Sequence, residues 1–139
     1  MTRPQILSLL TAMLAASLPA AAEAKTAYEC RFEQAAANGD MLPDMVAMVH
    51  EAGAKTALEG DPISQALTGG PVEAKVETDN GKRSTFVWKL KMANSRNQHT
   101  TMAYRLTVMK ADLSATISAT PMGYANSFST RGRCKRLKG

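Results

Sequence analysis

Thr101-Met102-Ala103-Tyr104-Arg105-Leu106-Thr107-Val108, followed after a short link by Leu113-Ser114-Ala115-Thr116-Ile117-Ser118-Ala119-Thr120, decides the fold. In both runs every second residue is apolar and its neighbours are polar or small. Period two places successive side chains on opposite faces of a strand, so each run reads as a half-buried β-strand. Strands with one apolar and one polar face pair antiparallel, because parallel sheets are covered on both sides. Lys110-Ala111-Asp112 reads as a tight connection that folds the two runs into a hairpin.

The same alternation extends outward. Phe86, Trp88, Leu90 and Met92 alternate with Thr85, Val87, Lys89 and Lys91; Val72, Ala74 and Val76 alternate with Glu73, Lys75 and Glu77. Tyr28, Cys30 and Phe32 alternate with Glu29, Arg31 and Glu33. Asp79-Asn80-Gly81 predicts a three-residue bulged hairpin with Gly81 left-handed, Thr78 opposite Lys82 and Glu77 opposite Arg83. Pro121-Met122-Gly123 reads as a turn into a last strand from Tyr124 to Cys134 or a little beyond, in which Gly132 marks a bulge or a close backbone approach.

Between Gln34 and Gly70 the pattern is weaker. Met45 to His50 and Ala54 to Glu59 read as two short strands around Glu51-Ala52-Gly53. Asp61 before Pro62 is a helix cap followed by a proline in the first turn, and Gly69-Gly70-Pro71 stops the helix. One short helical turn is therefore expected near residues 62–68. Seven or eight antiparallel strands make an all-β fold, either an up-and-down β-barrel or a barrel-like sandwich.

Cys30 falls in the first strand and Cys134 in the last, and closing a meander sets those strands side by side. A disulfide at the seam of a barrel is the expectation. The start of the chain gives it a compartment. Arg3, an apolar run from Ile6 to Leu18, and Pro19-Ala20-Ala21-Ala22-Glu23-Ala24 match a secretory signal peptide. The run is shorter than the roughly 20 apolar residues needed to span a bilayer. Residues 1–24 are thus read as a cleaved signal and 25–139 as a single domain, periplasmic or extracellular, with no transmembrane segment after cleavage. An exported chain with two cysteines reads as disulfide-bonded.

The formal charge of +5 is unevenly spread. Lys25 to Gly81 holds four basic residues against ten acidic ones, and Lys82 to Gly139 holds twelve against Asp112 alone. Arg131, Arg133, Lys135, Arg136 and Lys138 crowd the end of the chain. One reading sets the acidic and basic halves against each other across paired strands. The other makes the basic strand a surface for an anionic partner, a protein or an envelope component. Export argues against nucleic acid.

No pattern names a reaction. Gly-x-Ser-x-Gly, His-Glu-x-x-His, phosphate-loop and calcium-loop motifs are all missing from the sequence. No catalytic residue and no cofactor is assigned, and the chain is read as non-enzymatic. Phe86, Trp88, Tyr104 and Leu106 share an inner face that either packs solid or lines a site for a small apolar ligand. Met45, Met48 and His50 have the soft-ligand character that suits Cu(I), although on a strand Met45 points away from the other two. The leading reading is a binding or protein-interaction module, inhibitor-like, on a disulfide-closed β scaffold. The alternatives are a carrier of a small apolar ligand and a Met/His Cu(I)-binding protein.

Overall fold

A computed structural model describes residues 24–34, 38–93 and 96–137. The export segment expected over residues 1–24 lies outside these residues except for Ala24, and Lys138 lies outside them too. The elements run β1 (Lys25–Phe32), β2 (Met45–Glu51), β3 (Thr56–Gly60), α1 (Pro62–Thr68), β4 (Val72–Asp79), β5 (Arg83–Ala93), β6 (His99–Met109), β7 (Ser114–Pro121) and β8 (Phe128–Leu137). Each strand pairs antiparallel with the next, and β8 returns to β1, closing an eight-stranded barrel.

Alternation does what the sequence requires. Even-numbered residues of β5 and β6 face inward together through Phe86↔Leu106, Trp88↔Tyr104 and Leu90↔Met102. Odd-numbered residues of β7 join them through Leu106↔Ile117 and Tyr104↔Ala119. Phe86, Leu106, Ile117, Val46 and Met48 are fully buried. Small residues opposite large ones let the interior fill, as where Ala119 pairs with Tyr104. His50 joins this interior: its Nε2–H donates to the Ala54 carbonyl at 3.2 Å, and its ring lies edge-on to Phe86.

The seam carries the disulfide. Cys30 and Cys134 are direct cross-strand partners and are bonded. Two residues away Gly132 stands opposite Phe32, where β8 presses so closely on β1 that a Cβ would overlap the Arg31 carbonyl.

Two hairpins differ from the sequence expectation. Val76 does face inward opposite Phe86, but the irregularity sits inside β4 between Val76 and Thr78, and Asp79 pairs with Ser84. Thr78 meets Thr85 rather than Lys82, and Gly81 is not left-handed. The turn is organised by Asn80, whose Oδ1 accepts from the Lys82 and Arg83 N–H groups. The β6–β7 connection is also one residue longer than expected. Val108 and Ala115 both face inward and pair directly, so Leu113 joins the link. It adopts φ 58°, held there by Leu113 N–H on the Met109 carbonyl and by Cys134 N–H on the Leu113 carbonyl.

The connections sort by end. β2–β3, β4–β5 and β6–β7 turn tightly at one end. The β1–β2, β5–β6 and β7–β8 loops gather at the other with α1. Helix α1 is set locally: Asp61 Oδ1 accepts from Ile63 and Ser64 N–H, Pro62 opens the first turn, and Gly69 ends the helix left-handed.

Candidate functional site

Outward alternation on β8 gives Arg131, Arg133 and Lys135 one common face. β1 lies beside it with Arg31 opposite Arg133, and β7 on the other side sets Thr116 opposite Arg131 and Ser114 opposite Arg133. Arg31, Arg131, Arg133, Ser114 and Thr116 border an open groove of about 720 Å³ on the outer wall of the barrel, and Lys135 continues the same strand face just beyond it. Gly132 lies at its base, and the close β1–β8 approach allowed by its missing side chain brings the three arginines onto one patch.

The groove is electropositive but not uniformly so. Arg31 pairs with Glu29 at 3.0 Å, and Lys135 reaches the same carboxylate at 3.7 Å. Arg131 and Arg133 have no ion-pair partner among the described residues. Glu33 on the rim is the one acid of the lining, and Asp112 acts on Arg133 at longer range. Three guanidinium groups against one carboxylate, flanked by the Thr107, Ser114 and Thr116 hydroxyls, suit an anion with several oxygens.

Of the five basic residues at the end of the chain, Lys138 lies outside the described residues and the other four divide. Arg131 and Arg133 line the groove, and Lys135 follows them on the same outward face of β8. Arg136 lies on the opposite side of β8 by alternation and is exposed because β7 pairs with β8 only as far as Arg133. Arg31 belongs with the arginines, and the sequence signals it only through the Cys30–Cys134 pairing, which fixes which β1 residues flank β8.

Phe86, Trp88, Tyr104 and Leu106 are all in the buried core. Trp88 and Tyr104 stack with centroids 5.5 Å apart and planes 9° from parallel. Met48 and His50 face inward while Met45 is on the outer side of β2, so this strand does not gather the three. Among the described residues no group of three His, Cys, Asp or Glu side chains is placed to hold a metal ion.

A second polar feature lies under α1. Glu59 is fully buried, and its Oε2 accepts from Ser64 Oγ at 2.7 Å. The same hydroxyl approaches Asp61 Oδ2 at 3.1 Å. Burial, with the Asp61 carboxyl as hydrogen-bond partner and negative neighbour, pushes the Glu59 carboxyl up to about 9, only partly offset by Ser64. Burial and these two acids likewise raise Tyr104, whose hydroxyl donates to the Met41 carbonyl at 3.0 Å. Glu59 Oε1 and Trp88 Nε1 are buried without a hydrogen-bond partner among the described residues.

No protein-family model matches the sequence, and comparison with curated proteins and with solved structures finds no match.

Proposed function

We propose that this chain is an exported, non-enzymatic interaction module that docks an anionic partner in the arginine groove of β8, β1 and β7. One observation carries the reading: Arg131 and Arg133, without an ion-pair partner among the described residues, stand beside Arg31 on a disulfide-stapled wall. Long cationic side chains on a closed barrel lose little backbone freedom on binding, so their charge is preorganised. Bidentate contacts from arginine to carboxylate, phosphate or sulfate would supply orientation as well as attraction. Export is supported by the signal-like start of the chain and by the disulfide, a bond that persists in oxidising compartments. No helix among the described residues is long and apolar enough to cross a membrane.

The acidic surface of another envelope protein is the partner of choice, which makes the module inhibitor-like or adaptor-like. The test is capture from envelope extract by the oxidised mature protein at low and high salt. A specific partner should be retained at low salt and released as salt rises. Arg131→Ser, Arg133→Ser and Lys135→Ser together should abolish capture while leaving thermal stability nearly unchanged. Capture that survives the triple substitution would remove the groove from the account. Binding to vesicles of phosphatidylglycerol alone would replace the protein partner by an anionic membrane.

A further inference from the structure

At the loop end, Met41, Met92, Met102, Tyr124 and Phe128 wall an open groove of about 360 Å³. We propose that this vestibule is a binding site for an uncharged, planar aromatic molecule. It shares no residue with the arginine groove, and neither reading depends on the other.

Place and size come first. Mouths of β-barrels are a common position for small-molecule sites, and the volume falls within the usual range of roughly 300–1,000 Å³. Charge comes second. None of the described lining residues is charged, and its polar groups are the neutral Gln98, Thr100 and Asn126. An ionic ligand would lose hydration there without gaining a partner, whereas a neutral one loses little.

The chemistry of the wall narrows the class further. Met92 and Met102 both face inward from neighbouring strands, where Met92 pairs with Thr100 and Leu90 with Met102. Met41 reaches the same groove from the β1–β2 loop. Three polarizable thioethers beside two aromatic rings favour an aromatic guest, since sulfur–ring and ring–ring contacts add to simple burial. Apolar surface is also left uncovered here: Tyr124 is 64% exposed and Met41 37%.

The site connects to the interior through one hydrogen bond. Tyr104 donates to the Met41 carbonyl and stacks on Trp88, so a guest that displaces Met41 changes the surroundings of the only tryptophan. The buried Trp88 Nε1–H has no hydrogen-bond partner among the described residues, which leaves that ring sensitive to such a change.

N-phenyl-1-naphthylamine, a neutral aromatic probe, tests the proposal on the oxidised mature protein. Excitation of Trp88 should give saturable energy transfer to one bound probe per chain. Met92→Lys places an ammonium in the wall and should weaken binding at least about tenfold. Tyr124→Ser, at an exposed position that the fold does not need, should weaken it several-fold with unchanged near-UV circular dichroism. Arg131→Ser should leave it unaltered. Non-saturable partitioning, or equal affinity in the parent and in Tyr124→Ser, overturns the proposal. So does stoichiometric Cu(I) retention that Met92→Leu abolishes in a protein that takes up no probe, because the thioethers would then serve a soft cation.

Discussion

Glu59 shows how a single buried carboxyl couples this fold to pH. In the unfolded chain it titrates near 4.5, and in the barrel it holds its proton up to about 9. Between those values the native state keeps a proton that the unfolded state has released, so stability is greatest below the lower value and falls as pH rises. Asp79, lowered mainly by Lys110, and Asp112, lowered by the Ser114 N–H and hydroxyl, act oppositely: their contribution is lost in acid. The melting temperature should therefore decline from pH 5 to pH 9, and Glu59→Gln should flatten that decline and melt higher than the parent at pH 9. Thermal scans followed by circular dichroism decide it; parallel slopes in the two proteins would mean that Glu59 ionises without cost. Gly132 makes a steric prediction at the same scale. Gly132→Ala must force β8 away from the Arg31 carbonyl, at about 3 kcal/mol, measurable as a lower urea midpoint. The two residues were not equally legible. Gly132 two places before Cys134 advertises a close approach, but nothing in Thr56–Gly60 marks Glu59 as inward. Its neighbour Leu58 is the more apolar residue and yet is 55% exposed. The facing is imposed from outside the segment, by His50↔Ala57 and Ala57↔Ala74.

Among the elements, α1 and the hairpin links mark the boundary between local and non-local information. The helix was readable because its signals are chemical and adjacent: the Asp61 cap, Pro62 at the start, Gly69 at the end. Asp61→Ala should cost about 1–2 kcal/mol through the lost cap, and Asp61→Asn, which can still accept from Ile63 and Ser64, should cost far less. Denaturant unfolding of the pair checks this, and equal losses would assign the effect to charge instead of capping. The links were readable as turns but not in length. Lys110-Ala111-Asp112 alone would set Val108 opposite Ser114, turning one strand's apolar face to solvent. Burial of Val108 and Ala115 outweighs the left-handed strain at Leu113, so the connection takes the extra residue. In β4 the same demand is met by a bulge between Val76 and Thr78, which lets a longer Asn80-centred turn coexist with Val76 inside. The candidate groove was half legible for a related reason. Arg131, Arg133 and Lys135 stand out by spacing along one strand, whereas Arg31, Ser114 and Thr116 join them only through pairing.

Across the whole molecule, closure is the organising event. The acidic first half and basic second half meet over paired or nearby strands, as Arg105 with Glu77, Lys110 with Asp79 and Lys135 with Glu29 show. These pairs are partly or largely exposed, so each contributes little to stability. Their consequence is distribution: the acids of β1 and β4 neutralise several cations and leave Arg131 and Arg133 as the groove's guanidinium groups without an ion-pair partner among the described residues. The seam that positions them is held twice, by the β1–β8 ladder and by a disulfide spanning 104 residues of chain. A loop of that length gives a chain-entropy stabilisation of roughly 4–5 kcal/mol, an upper figure for the native bond. Because six register pairs join β1 to β8 without the bridge, its removal should destabilise the barrel without opening it. Cys30→Ala with Cys134→Ala should keep the far-UV spectrum of the parent, lower the urea midpoint by an amount approaching that figure, and weaken capture of the anionic partner only when the seam loosens. Urea titration of the double variant beside the oxidised parent measures the first effect. Loss of the β spectrum in the absence of urea would instead mean that the ladder cannot close the barrel unaided, making the covalent bond the condition for the arginine groove to exist at all.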